Sequence, residues 1–164
     1  MIEQALLPHL DAAYNLARWL TGNDHDAQDV VQEAYLRACQ FFGGFRGTDG
    51  RAWLLTIVRN TCYTWLQRNR RYSSIPFDEE QHGIAAETPA DPVEQAEDRS
   101  ALRRALEALP PEFREVVVLR ELEGLSYREI AAVAGLAVGT VMSRLARARE
   151  RLQRHLLGNM KKEP

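Results

Sequence analysis

A short hydroxyl side chain followed at helical spacing by arginines is equipped to meet a polyanion. Residues 126–152 read SYREIAAVAGLAVGTVMSRLARARERL, and here Thr140, Arg144, Arg147 and Arg151 fall within roughly 60° of one another at about 100° per residue. Val141, Leu145, Ala148, Leu152 and Leu156 make an apolar stripe about a quarter turn or more away. Thr140 and Ser143 can reach phosphates or base edges, Arg144 can donate twice to guanine, and Arg147 and Arg151 can neutralise flanking phosphates. A solvated basic face on a bundle helix is the plainer alternative. Order favours DNA: Ser126 with Glu129 three residues on forms a capping box, small alanines follow, Gly135 permits a sharp turn, and the arginine helix comes next.

Other chemistry is less well supported. Asp24, His25, Asp26 and Asp29 invite a metal-site reading, but no glycine stands at the sixth position from Asp24 and Tyr35 stands at the twelfth, so this is no EF-hand. Helix starts routinely gather such residues. The chain has no P-loop, HExxH or GxSxG, and neither an enzyme nor a cofactor is expected. Cys39 and Cys62 are too few for a disulfide framework and form no CxxC pair, so they are expected as reduced thiols.

These residues are set in a chain of 164 residues with net charge −2 and 45% hydrophobic content, enough for one ordinary domain or two small ones. The balance hides strong blocks. Residues 1–40 carry net −4, 41–72 net +5, 73–98 net −8 with no base at all, and 126–164 net +5. Two basic blocks flank an acidic one, which implies two polyanion-facing surfaces joined by a segment that repels polyanions. Lacking a transmembrane-length apolar run and a basic, cleavable leader, the chain is expected in the cytoplasm.

Apolar positions recur at helical spacing almost throughout, which predicts an all-α fold of two small helical domains. Ile2, Ala5, Leu6, Ala13, Leu16, Ala17 and Leu20 read as one stripe, stopped at Gly22. A second helix runs from about Asp24 to Gln40, with Asp29 and Glu33 on one face, ready for arginine on a partner helix. Residues 41–50 contain four glycines and form a loop; Thr48 or Asp49 caps a third helix through Trp53, Leu54, Ile57, Val58, Trp65 and Leu66. Residues 73–92, with three prolines and no period, make a linker. A helix from about Pro92 to Leu109 follows, then one opened by Pro111 and ended by Gly124.

The runs Leu-Ser-Tyr-Arg-Glu-Ile-Ala (125–131) and Val-Gly-Thr-Val-Met-Ser-Arg-Leu (138–145) resemble region 4 of bacterial sigma factors, specifically the small extracytoplasmic-function group. Asp-Ala-Gln-Asp-Val-Val-Gln-Glu-Ala-Tyr-Leu-Arg-Ala (26–38) resembles that family's core-polymerase-binding helix, and Arg-Ala-Trp-Leu-Leu-Thr-Ile-Val-Arg-Asn (51–60) its promoter-melting region. The resemblance implies a region 2-like domain over 1–72, an acidic linker over 73–92 that in the family threads the RNA path of the polymerase, and a region 4-like domain over 93–164. It implies binding of core RNA polymerase, at the β′ clamp helices through Asp29, Gln32, Glu33 and Arg37, with the β flap as a further polymerase contact. It implies contact with the −10 element through Arg59, Asn60, Tyr63, Thr64, Gln67, Arg68 and Arg71, and with the −35 element through Thr140, Ser143, Arg144, Arg147 and Arg151. The function implied is promoter-specific transcription initiation under a stress or environmental signal, with an anti-sigma factor as a further partner.

Two departures from the family pattern stand out. An aspartate common at the position of Thr64 is absent, and Met142 replaces a frequent lysine, removing one possible phosphate contact. Trp53 and Trp65 are expected in the core, being at helical spacing with Leu54, Ile57 and Leu66, whereas Tyr63 suits core and base stacking about equally. The main rival is an autonomous helix-turn-helix regulator, which would ordinarily need a dimer to span two half-sites; no heptad zipper is present. A sigma mimic that binds only an anti-sigma factor fits poorly with the Arg144, Arg147 and Arg151 row.

Overall fold

The computed structural model describes residues 2–45, 49–70 and 94–162. Among these there are helices and connecting turns and no strand. The N-terminal stripe folds as two helices: α1 (Ile2–Leu6) gives way to a 3-10 turn at Leu7–His9 before α2 (Leu10–Thr21). Pro8 is the reason, since its ring cannot continue an α-helix and its missing N–H leaves a carbonyl unserved. Gly22 then ends α2 at φ 94, donating its N–H to the Arg18 carbonyl at 2.9 Å. Asn23 caps α3 (Asp24–Phe41) by accepting from the Asp26 N–H at 2.8 Å.

A 3-10 turn at Phe42–Gly44 leads towards α4 (Gly50–Arg70), where Asp49 Oδ1 accepts from the Ala52 N–H at 3.0 Å. The alternative cap Thr48, the linker 73–92 and Arg71 lie outside the described residues. Ala13, Leu16, Ala17 and Leu20 of α2 meet Ala27, Val30, Ala34 and Ala38 of α3 and Leu54, Leu55, Val58 and Cys62 of α4, all buried. Many of these are alanines, which lets the helix axes approach closely. Gly50 makes the tightest approach: a Cβ there would stand 2.4 Å from the Ala5 carbonyl oxygen. Trp53 and Trp65 pack against this core, as expected, and Trp53 also contacts Phe42 and Phe45 at ring-centroid distances of 6.0 and 5.0 Å.

The C-terminal half comprises α5 (Glu94–Glu107), α6 (Pro111–Val117), α7 (Tyr127–Ala134) and α8 (Val138–Lys162). Pro111 opens α6, and the helix widens into a π turn at Val118–Leu122 before Gly124 adopts φ 70. The capping box forms in full: Ser126 Oγ accepts from the Glu129 N–H at 3.1 Å and the Glu129 carboxylate accepts from the Ser126 N–H at 2.8 Å. Gly135, at φ 69, turns the chain into α8. Buried Val116, Val118, Leu119, Leu125, Ile130, Val141, Leu145 and Ala148 belong to the same hydrophobic cluster as the N-terminal core, so the halves are packed together. α2 meets α6, and α4 meets α7. The arrangement expected from the linker, two tethered and separate surfaces, gives way to a closed one because each half alone is too small to bury much of its apolar surface.

Candidate polymerase and nucleic-acid interfaces

Three helices carry the candidate residues. On α3, Asp29 and Gln32 are exposed, while Glu33 is half-exposed and pairs along the helix with Arg37 at 2.7 Å. Asp29 Oδ2 stands 3.8 Å from His25 Nε2. Gln32 borders an open groove of about 440 Å³ whose walls include Tyr14, Val31, Tyr35 and Leu36. Leu36 is 58% exposed, so the polar residues border an apolar strip open to solvent. Residue-by-residue reading missed this strip, although Val31, Tyr35 and Leu36 stand at helical spacing. The Arg18 guanidinium and, after it, the Tyr14 hydroxyl hold the exposed Asp24 carboxyl below its usual range.

On α4 the structure divides the expected −10 group. Asn60, Gln67 and Arg68 are exposed, and half-buried Thr64 donates to the Asn60 carbonyl at 3.1 Å. Arg59 and Tyr63 instead turn to the C-terminal half. Arg59 Nε donates to Glu115 Oε2 at 2.5 Å and Tyr63 Oη donates to Oε1 at 3.0 Å, with the guanidinium 4.3 Å from the centre of the Tyr63 ring. Tyr63 is thus partly core and wholly occupied. Glu115 is 0% exposed. Burial pushes its carboxyl above the usual range, against the opposing pull of the Arg59 bond. Burial and the Glu115 charge likewise raise Tyr63 and push the Cys62 thiol up to about 12.

Three further residues, with four contacts, cross between the halves. Asn15 Nδ2 donates to Glu123 Oε2 at 2.5 Å, Arg51 lies 3.4 Å from both Glu129 Oε2 and the Glu123 carbonyl, and Arg114 Nη1 donates to the Trp19 carbonyl at 2.7 Å. None of these partners is legible in sequence, since each joins residues far apart in the chain. One signal existed for Glu115: it is a lone acid leading the apolar run Val116–Val117–Val118–Leu119.

The arginine row of α8 also divides. Ser143, Arg147 and Arg151 are exposed, whereas Thr140 and Arg144 are half-buried. The shared exposed face expected for all four row residues is therefore corrected: Thr140 and Arg144 are only partly exposed. The Arg144 charge acts on Glu115, and the Arg151 guanidinium lies 4.7 Å from the centre of the Phe113 ring. Met142, 51% exposed, and Val138, 40% exposed, add apolar surface beside Ser143. No group of three or more metal-ligating side chains assembles among the described residues.

Comparison with known proteins bears on both halves. Residues 6–72 match the family described as Sigma-70 region 2, and residues 99–152 match Sigma-70, region 4. The chain is 36% identical over 156 residues to the ECF RNA polymerase sigma factor SigE of Mycolicibacterium smegmatis, spanning 94% of this chain but 61% of that relative. It is 37% identical to SigM of Mycobacterium tuberculosis over 95% of this chain and 76% of that one, and 40% identical to the sigma-E factor of Escherichia coli over 76% and 71%. Among solved structures, the sigma factor RpoE crystallised with the anti-sigma factor NepR from Bartonella quintana superimposes with TM-score 0.75 at 32% identity, covering 99% of this chain and 98% of that one. CnrH in complex with the cytosolic domain of CnrY gives 0.67 at 27%, over 96% and 88%. With both regions matched in order and such relatives covered over most of their length, the chain belongs to the extracytoplasmic-function sigma factors of the sigma-70 family.

Proposed function

We propose that this chain binds core RNA polymerase and directs it to promoters bearing defined −35 and −10 elements. Residues 1–72 serve as the polymerase-binding and −10 domain, 93–164 as the −35 domain, and the acidic 73–92 segment as the connector. The observation that carries the reading is the helix-turn-helix: a complete capping box and a left-handed Gly135 aim the exposed Ser143, Arg147 and Arg151 of α8 away from the core. α3 offers Gln32, Glu33 and the neighbouring apolar groove to the β′ clamp helices, with Asp29 and Arg37 completing the polar rim. The C-terminal half engages the β flap. An anti-sigma factor is a further partner, as in the RpoE relative crystallised with the anti-sigma factor NepR.

The test is fluorescence anisotropy of the labelled chain titrated with core polymerase, with Gln32→Ala/Glu33→Ala as the control, followed by run-off transcription. Tight binding that the double substitution weakens supports the assignment. No binding to core, together with sequence-specific binding of the chain alone to duplex DNA, would replace it with a stand-alone regulator.

A further inference from the structure

One edge of α8 takes no part in the contacts assigned so far. Val138 and Met142, 40% and 51% exposed, stand four residues apart in its first two turns, so their side chains leave the helix within about 40° of one another. Ser143 and Arg147 form a second exposed row, with Ser143 about 100° round the helix from Met142. Between the rows stand Gly139 and Ala146, both exposed. A Cβ at Gly139 would meet nothing within 4 Å, so packing inside the chain does not call for a glycine there. The surface is a low floor between an apolar edge and a polar one, and it suits close approach to base-pair edges in a major groove.

Single exposed apolar side chains are ordinary on a protein surface. Here two adjoin on the helix that the capping box and Gly135 aim outward. Neither can donate a hydrogen bond or neutralise a phosphate, and of the groups that bases present in the major groove only the thymine C5-methyl is apolar. Ser143 narrows the choice further. Its hydroxyl donates to the Gly139 carbonyl at 3.0 Å, which leaves lone pairs for the groove. These suit the amino groups of adenine and cytosine, not the acceptor oxygens of guanine or thymine. Beside this edge thymine is therefore recognisable by its methyl group and not by its oxygen.

We propose that Met142 and Val138 are specificity-determining residues of the −35 contact: the flexible Met142 side chain lies against the C5-methyl of a thymine in the promoter duplex, and Val138 flanks it. The chain thereby selects thymine over cytosine at that position. The inference rests on the −35 reading of α8 and adds the base and the group on it that are read.

The experiment uses the full chain assembled with core polymerase. A duplex pool of random sequence is selected on this assembly, and the selected duplex is resynthesised with deoxyuridine in place of each upstream thymine in turn, which removes one methyl and leaves pairing intact. Competition binding should weaken about four-fold at the contacted position, the gain from taking one methyl out of water. Met142→Ala should bind the thymine duplex as weakly as the unaltered chain binds the deoxyuridine duplex, with no further loss on the latter. Met142→Leu should keep the methyl dependence. Met142 lies outside the hydrophobic cluster, and the deoxyuridine comparison on the unaltered chain needs no substitution at all. An upstream element without thymine, deoxyuridine that costs nothing at any upstream position, or an equal cost in Met142→Ala overturns the proposal. So does a Met142→Ala chain that assembles poorly with core while deoxyuridine is neutral, which would give the apolar pair to a polymerase surface. After any of these, an Arg147→Ala chain that binds the upstream element more weakly leaves the −35 reading of α8 standing. If no upstream sequence emerges from selection and Arg147→Ala changes nothing, both fall.

Discussion

Replacing Arg114 by methionine should destabilise the protein by about 3–5 kcal/mol, because one guanidinium closes the ends of two helices. Its Nε donates to the Leu106 carbonyl at 3.1 Å, Nη2 to the Leu109 and Glu107 carbonyls at 2.7 and 3.3 Å, and Nη1 to the Trp19 carbonyl at 2.7 Å. Trp19 lies in the last turn of α2, and the other three carbonyls belong to the end of α5 and the turn after it. Such carbonyls lie beyond the regular ladder of their helices and carry the negative end of the dipole, although the Leu106 oxygen also accepts from the Leu109 N–H at 3.1 Å. Bonds from a charged donor contribute about 1.5–3 kcal/mol each; the one to Glu107 is exposed and water can replace it, leaving three that matter. The gross loss is therefore about 4–9 kcal/mol. It is offset by recovering the desolvation of a buried guanidinium, which also holds the Arg114 pKa below the usual arginine value. Urea unfolding followed by far-UV circular dichroism should show a midpoint lowered by about 1–3 M, taking m near 2 kcal/mol/M. Arg114→Lys, with one ammonium for several diverging carbonyls, should recover at most about half of the loss. A change below about 1 kcal/mol for the methionine variant, or full rescue by lysine, would refute the double-cap argument.

Three further outcomes are expected. Gly50→Ala should destabilise by about 1–3 kcal/mol despite alanine's better helix propensity, because the new methyl would lie 2.4 Å from the Ala5 carbonyl oxygen and force α1 off α4; an unchanged or raised Tm would argue against that contact. Ser126→Ala should cost about 1 kcal/mol by removing the acceptor of the Glu129 N–H. The Glu129 carboxyl lies below its usual 4.5, chiefly because it accepts from the Ser126 backbone N–H, so its contribution is full above that value and fades as pH falls through the lower folded one. Glu129→Gln should therefore flatten that part of the acid limb in a pH series of urea midpoints; an unaltered limb would show that the capping carboxylate does not contribute.

Local devices were legible in the sequence because their partners are neighbours in the chain. The Ser126–Glu129 box, the Gly22 and Gly135 stops, the Pro111 start and the apolar faces of α2 and α8 all operate within a turn or two. Pro8 belongs with them, and the single N-terminal stripe overlooked its power to break a helix. The motifs over 26–38, 51–60 and 125–145 were enough to place the chain among sigma factors. Tertiary structure decided which members of each candidate face remain available. Arg144 looked as free as Arg147 on a helical wheel, yet it is half-buried where Arg147 is exposed. Arg59 and Tyr63 looked ready for DNA, and they are held by a carboxylate 56 and 52 positions away. Periodicity measures the angle around one helix axis; which part of that circle meets solvent depends on the helix packed beside it, and that is settled only when long-range burial brings the halves together.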